Sequence, residues 1–392
     1  MKILYIHQYF KTPDEPGGTR SYWISQKLIE KGHEVIMLTS RNNMDKIREE
    51  ISVDGISVIY LNVRYDQEMG LFNRLISFVS FMTKTIIIVF KLRQKYDKIY
   101  ATSTPLTVGI PAIVAKIFLK KPYIFEVRDL WPEVPIQMGA IKNKLIIKIL
   151  KKLEKTIYKY AESIISLSPG MYDGVLSTGV NKEKVTMIPN MAKPNEFYPR
   201  EKNKFIIDEF GIIEDQINII YFGAIGKSNG LIEFLIKFKE LKHNEFRLII
   251  AGEGSEKSAL QKYITDNNMT NVELVGNYPM KKISDLVNCC DISLVSFSDI
   301  EILYTNSPNK LFDSLSAGKP IIVNSAGWTK DLVEKNKCGL YYDPKNKKSF
   351  DLIFEQIKID RKNLENMGRN SRKLSESSFD RELLTDKIST LI

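Results

Sequence analysis

Cysteine and histidine are the scarcest reactive side chains in this 392-residue chain, with three of each. Cys289, Cys290 and Cys338 are too few for a disulfide framework, and no Cys/His spacing of a zinc site is present, so no metal centre is expected. A reduced, cytosolic setting follows. No clean apolar run of ~20 residues is available to span a bilayer. The most apolar stretch, Leu75–Phe90, is bounded by Arg74 and Lys91 and broken by Lys84. The amino end, Met1–His7, turns polar too soon for a signal peptide and lacks a small-residue cleavage site. A Gly-x-Ser-x-Gly elbow is missing, and His7, His33 and His243 have no evident partners, which argues against a serine nucleophile.

Acidic residues are the other shortage, but only in the first half. Residues 1–200 carry 30 Lys+Arg against 19 Asp+Glu, a net of +11, whereas the remainder nets −1. A charge confined to one half implies an anionic partner for that half. Zinc-finger spacing and an aromatic-basic RNA motif are both lacking, so nucleic acid is disfavoured and an anionic membrane surface or a lipid diphosphate is preferred. The lysines of 142–160 (Lys144, Lys148, Lys151, Lys152, Lys155, Lys159) fall on one side of a helix, with Leu145, Ile146, Ile149, Leu150, Leu153 and Ile157 on the other. That pattern fits a solvated lysine face or an electrostatic dock for an anionic bilayer. Leu71–Arg93 fits a core helix or an interfacial one.

What is present in quantity is alternation. Lys2–Ile6 reads as a short apolar strand, followed by the glycine-bearing loop 8–18, a helix over Ser21–Lys31 and a second apolar run over Glu34–Leu38. Strand, crossover helix, strand is the signature of a parallel sheet buried on both faces. Further strands are predicted at Ile56–Leu61, Lys98–Thr102, Tyr123–Val127, Ser163–Leu167 and Val185–Pro189. The pattern restarts at Ile217–Gly223 and continues through Arg247–Ala251, Val272–Val275, Ile292–Val295 and Pro320–Val323. The expected fold is therefore α/β, two Rossmann-like domains with a cleft between them. The Pro/Asn-rich stretch Ile188–Asn195 is the expected hinge. The division is placed at 193/194, with residues 375–392 crossing back onto the first domain.

Several short segments carry chemistry. In Asn306–Asp313, Ser307 is placed to cap a helix and Pro308 to open it. Such a helix start is an anion site, where Asn309 and Lys310 could hold a diphosphate and Asp313 a ribose diol; a capped helix with a surface lysine reads equally well. Gly17 and Gly18 after the first strand, and Gly223–Gly230 after the first strand of the second half, allow close backbone approach to a ligand. The second turn lacks the full P-loop spacing. Arg128-Asp129-Leu130-Trp131-Pro132-Glu133 follows a strand directly, at the strand end where open α/β sheets place ligands.

Taken in order, these segments resemble the retaining nucleotide-sugar glycosyltransferases of family 4, which have the GT-B fold. The resemblance runs almost end to end, through Gly17-Gly18, Ser166–Ser168, Ile188-Pro189-Asn190, Gly223–Gly230, Leu248–Gly254, Asn271–Gly276 and Ser316–Ile322. Glu15–Trp23, Phe125–Glu133 and Thr305–Asp313 look most like bacterial surface-polysaccharide transferases of the L-fucosamine-transferase type.

The resemblance implies a metal-independent enzyme at the inner membrane face, with a UDP-activated acetamido sugar as donor and an undecaprenyl-diphosphate-linked saccharide as acceptor, in O-antigen or capsule synthesis. It implies donor binding by Gly17, Gly18, Gly223, Lys227, Gly276, Asn277, Tyr278, Ser307, Asn309, Lys310 and Asp313. Acceptor binding falls to Arg20, Arg128 and Trp131, and catalysis to Asp129, Glu133 and Lys310. The chain departs from the family where a glutamate is usual, carrying Thr305, and where a lysine is common, carrying Asn229. Those departures keep two alternatives alive: a non-catalytic membrane-surface scaffold and a UDP-sugar epimerase on the same fold.

Overall fold

The computed structural model describes residues 1–392 except Pro16, residues 66–68, His243 and the side chain of Leu71. Two of the segments read above, Pro16 in the first glycine loop and His243, thus lie outside the described residues. The chain divides into two compact units. The first comprises Met1–Thr12, Gly18–Pro189 and Glu382–Ile392; the second comprises Pro13–Gly17 and Asn190–Arg381.

The first unit runs β1 (Lys2–Ile6), α1 (Arg20–Glu30), β2 (Glu34–Arg41), β3 (Arg48–Val53), β4 (Ile56–Asn62), α2 (Leu71–Lys91), β5 (Lys98–Thr102), α3 (Gly109–Phe118), β6 (Tyr123–Val127), α4 (Glu133–Gln137), α5 (Lys144–Tyr160), β7 (Ser163–Ser166), α6 (Pro169–Ser177) and β8 (Val185–Met187). Its eight-stranded sheet has the order β3-β4-β2-β1-β5-β6-β7-β8, and every neighbouring pair is parallel except β3–β4. The central strands are sealed on both faces by helices, which explains their unbroken apolar sequences. Strand β3 has no such signature. Its sequence Arg-Glu-Glu-Ile-Ser-Val is exposed along an antiparallel edge, where charge is favoured, and the hydrophobic pattern misses it.

The second unit runs α7 (Lys204–Glu209), β9 (Ile217–Phe222), α8 (Leu231–Phe238), β10 (Phe246–Ala251), α9 (Lys257–Asp266), β11 (Val272–Val275), α10 (Met280–Cys289), β12 (Ile292–Val295), α11 (Asn309–Ser316), β13 (Ile321–Val323), α12 (Trp328–Lys335), β14 (Gly339–Tyr341), α13 (Lys347–Ile359) and α14 (Arg361–Ser378). Its six strands are all parallel in the order β11-β10-β9-β12-β13-β14. Alternate residues of β9 face opposite ways. Ile219 and Tyr221 join a core with Leu248, Phe234, Phe350 and Phe354, while Ile220 and Phe222 pack with Ile249, Phe210 and Leu286. A last helix, α15 (Arg381–Ser389), returns the chain to the first unit.

The division falls at Pro189/Asn190 and the return at Glu382, against the expected 193/194 and 375. Residues 190–193 are bonded into the second unit. Lys193 N–H donates to Ser316 Oγ at 2.9 Å and Ala192 N–H to the Phe379 carbonyl at 2.7 Å. Helix α14 packs on α11, and residues 375–381 stay with the second unit.

Candidate functional site

In the first unit, β1, β5 and β6 lie side by side, so the residues just past their carboxyl ends meet. These are His7, Ser103-Thr104 and Arg128-Asp129. Asp129 accepts a hydrogen bond from Thr104 Oγ1 at 2.9 Å, and burial raises its pKa, opposed by that bond and by Arg128. The backbone N–H of Arg128 donates to Ser103 Oγ at 3.0 Å, which fixes the turn. His7 is buried, with Nδ1 2.7 Å from Ser21 Oγ and Nε2 3.5 Å from the Arg128 guanidinium. Burial, aided by Arg128, pushes the His7 pKa well below its ordinary value, so the ring is a neutral prop for Arg128. His7 has no evident partner in the sequence. The signal was its position one residue past a strand, interpretable only once the strand order is known.

Arg20 is not an acceptor ligand. It is 3% exposed, and its Nε donates to Glu126 Oε1 at 2.8 Å. Its Nη1 donates to the Pro189 carbonyl and its Nη2 to the Ile188 carbonyl at 3.1 Å. Glu126, itself fully buried, also accepts from Tyr100 Oη at 3.0 Å and Thr102 Oγ1 at 3.2 Å. The guanidinium is spent on pinning the chain where it leaves the first unit. Glu133, expected at the catalytic site, is engaged on the surface instead. It pairs with Lys151 at 3.2 Å and accepts from Gln137 Nε2 at 3.0 Å, and these contacts lower its pKa. Trp131 stays beside the Asp129 turn, its N–H donating to the Asp129 carbonyl and its ring set edge-on to Phe78.

In the second unit the turns after β9, β10 and β11 interlock. Gly223 N–H donates to the Ala251 carbonyl at 2.9 Å, Ile225 N–H to Glu253 at 2.8 Å, and Gly252 N–H to Val275 at 3.3 Å. A Cβ on Gly252 would stand 1.9 Å from the Gly223 carbonyl oxygen, so only glycine permits this approach. Gly223 (φ 119°) lies under Lys310, whose Cε would be 3.3 Å from an added Cβ. Lys310 Nζ is buried, has no hydrogen-bond partner among the described residues, and sits 3.6 Å from the Tyr221 ring centroid. Burial pushes its pKa well below the ordinary lysine value. Lys227 is exposed on the same turn, and Gly276, Asn277 and Tyr278 follow β11. The Tyr278 ring packs edge-on against Phe210, and Asn277 beside it is exposed.

Helix α11 starts at Asn309, with Pro308 as its cap and no side chain capping it. Ser307 is therefore not the cap. It lies outside the helix because Asn190 holds it: Asn190 N–H donates to Ser307 Oγ at 3.3 Å and Asn190 Nδ2 to its carbonyl at 2.5 Å. Asp313, expected at a ribose diol, is 3% exposed and ion-paired with Lys193 at 3.1 Å. Burial raises its pKa and Lys193 opposes the rise. The lysine four residues past Pro189 takes the place at this carboxylate that a diol was expected to take. Thr305 ends a 3-10 turn, donating through Oγ1 to the Ile302 carbonyl at 2.7 Å. Gly17 is exposed with φ 130°, and the unit boundary passes between it and Gly18. No cluster of three or more metal-ligating side chains occurs among the described residues.

Two parallel-sheet α/β units, each with polar groups gathered at its strand ends, define the class: a GT-B glycosyltransferase fold. The chain belongs to the glycosyltransferases of that fold, for residues 17–191 match the family described as Glycosyl transferase 4-like domain and residues 202–374 the family described as Glycosyl transferases group 1. Among solved structures, it is similar to Anabaena HepE in complex with UDP and glucose, with a TM-score of 0.74 at 17% identity over 100% of this chain and 98% of that one. Alpha-galactosylglucosyldiacylglycerol synthase of Streptococcus pneumoniae is 22% identical over 50% of this chain and 53% of its own. The phosphatidylinositol N-acetylglucosaminyltransferase GPI3 subunit of Saccharomyces cerevisiae is 22% identical over 70% of this chain and 58% of its own. The chain thus spans little more than half the length of these curated relatives.

Proposed function

We propose that the protein transfers an N-acetylated sugar, N-acetyl-L-fucosamine being the specific candidate, from a UDP-sugar to a lipid-diphosphate-linked saccharide in surface-polysaccharide synthesis, with retention of configuration. The observation that carries this reading is Lys310 Nζ, a buried amine nitrogen without a hydrogen-bond acceptor among the described residues, set over the Gly223 turn. A buried ammonium that lacks an acceptor is costly, and a diphosphate would supply one. Negative charge grows on the departing diphosphate during transfer. Lys310, Lys227 and the free N–H groups at Asn309 and Lys310 would stabilise it. Asp129, raised in pKa and held by Thr104, is the group for proton handling or acceptor orientation, with Arg128 as the cation for an acceptor phosphate. Asp313 positions α11 through Lys193.

The names of the two relatives support a lipid acceptor, since one is a diacylglycerol glycolipid synthase and the other acts on phosphatidylinositol, and the second also supports an acetamido sugar. The HepE complex supports a UDP donor. The protein is proposed to work in the cytoplasm as a peripheral protein of the inner membrane face, without a metal. The basic first unit would meet the bilayer. There, Phe72 (73% exposed), Leu75, Ile76 and Val79 of α2 are bare apolar surface, and on α5 Leu145 (68% exposed), Ile146 and Ile149 are bare on the same helix as its lysines. By length and composition α2 could cross a membrane, but Phe81, Ile88 and Val89 bury its inner side in the unit, so a surface role is proposed. The test is a screen of UDP-sugars with a lipid-diphosphate acceptor, read by mass. Product from a UDP-acetamido sugar is expected. Failure of every such donor would end the donor assignment, and absence of UDP binding would favour the scaffold reading.

A further inference from the structure

Four aromatic rings follow one another across the strand-end edge of the first unit. Tyr9 lies past β1, Tyr65 past β4, Phe78 on α2 and Trp131 past β6. Tyr9 and Tyr65 are 4.6 Å apart between centroids, Tyr65 and Phe78 6.3 Å, and Phe78 and Trp131 6.3 Å. All four are only partly buried. A ring row used for core packing would be sealed, whereas this one is left partly open at the edge where α/β sheets place ligands.

The row is built rather than incidental. Asn42 grips the Tyr65 backbone from both sides, its Oδ1 accepting from Tyr65 N–H at 2.8 Å and its Nδ2 donating to the Tyr65 carbonyl at 2.6 Å. Ser77 Oγ, next to Phe78, donates to the Arg64 carbonyl, tying the same loop to α2. Polar groups meet one end of the row at Arg128 and Asp129, next but one to Trp131. At the other end, the amide of Gln8, beside Tyr9, is fully buried with neither its nitrogen nor its oxygen hydrogen-bonded among the described residues. Aromatic faces bounded by a few unsatisfied or charge-bearing polar groups are the chemistry that holds a sugar ring, apolar on its C–H faces and polar at its rim.

We infer that Tyr9, Tyr65, Phe78 and Trp131 form the platform on which the acceptor's saccharide lies, making Tyr65 and Phe78 specificity-determining residues of the transfer. This rests on the acceptor reading above and deepens it.

The test is titration of the full chain with methyl glycosides of glucose, galactose and N-acetylglucosamine, read by intrinsic fluorescence. Trp131→Phe isolates the signal from that of Trp23 and Trp328. At least one glycoside should give a saturable change that Trp131→Phe abolishes. Tyr65→Phe should bind as wild type, and Tyr65→Leu about tenfold more weakly, the size of a lost aromatic contact. Farnesyl diphosphate, which has a prenyl chain but no sugar, should not displace the glycoside. Displacement by farnesyl diphosphate, full binding by Tyr65→Leu, or no response to any glycoside would each overturn the platform. UDP calorimetry on the same samples separates the two claims. Glycoside binding without UDP binding would leave the platform standing and remove the transferase reading; the reverse would do the opposite.

Discussion

Replacing Lys310 by methionine should make the protein more stable and a worse binder of UDP at the same time. The side chains are of similar length, but methionine brings no ammonium into the space between the Tyr221 ring and the Gly223 turn. In the free protein Nζ has no hydrogen-bond acceptor among the described residues. An orphaned buried donor costs about 1–3 kcal/mol, offset in part by the ring contact, so a gain of about 1 kcal/mol is expected, seen as about 2–4 °C in the melting of a unit this size. Loss of a charge-assisted hydrogen bond to a diphosphate costs about 1.5–3 kcal/mol, or roughly a tenfold to a hundredfold weaker Kd. Because burial depresses the Lys310 pKa, the folded wild type resists that proton, and the variant's stability advantage should grow as pH falls below 10.5. A bound diphosphate would raise that pKa again, so wild-type binding should take up protons at any pH between the free and bound pKa, and calorimetric enthalpies there should vary with the buffer's ionisation heat. The variant should show no such dependence. A methionine variant that melts lower and binds UDP as the wild type does would refute the reasoning, leaving Lys310 as a lysine held by an aromatic ring.

Other outcomes follow from the same structure. Burial raises the Glu154 pKa from 4.5 to about 7. The protonated form's contribution is full below pH 4.5 and lost as pH rises to 7, so Glu154→Gln should match wild type at pH 4 and exceed it by about 3 kcal/mol at pH 8 in urea unfolding. Equal curves at both pH values would contradict that burial. Arg20→Met strands the buried Glu126 carboxylate and should cost about 3–5 kcal/mol of stability, with Arg20→Met/Glu126→Gln recovering part of it. An intact Tm with only a raised acceptor KM would restore Arg20 to the acceptor site. Leu145→Glu/Ile149→Glu should lower sedimentation with phosphatidylglycerol vesicles about tenfold or more while leaving phosphatidylcholine binding low throughout. Unchanged sedimentation would clear α5 of a membrane role.

Strand and helix order was legible because a parallel sheet sealed on both faces demands continuous apolar runs, and β1, β5, β6, β9 and β10 all carry them. The glycine turn after β9 and a helix opening beside Pro308 were legible too, since backbone geometry is a local property, although the expected Ser307 cap is not made. Partnership was not. Arg20 and Arg128 look alike in sequence, yet one is consumed by Glu126 and two carbonyls from residues 188 and 189 while the other stays beside Asp129. Asp313 reads as a ligand for a diol until Lys193, 120 positions away, is found against it. His7 had no visible partner because Ser21 and Arg128 reach it only through the order β1-β5-β6. Periodicity puts six apolar residues on one side of α5 without saying which are covered: Ile157 packs against Gly109 of α3, whereas Leu145 and Ile149 are bare. The physical reason is common to all four. Periodicity and backbone chemistry act over a few residues and are written in the chain, whereas burial and charge pairing depend on which distant segments arrive at the same place.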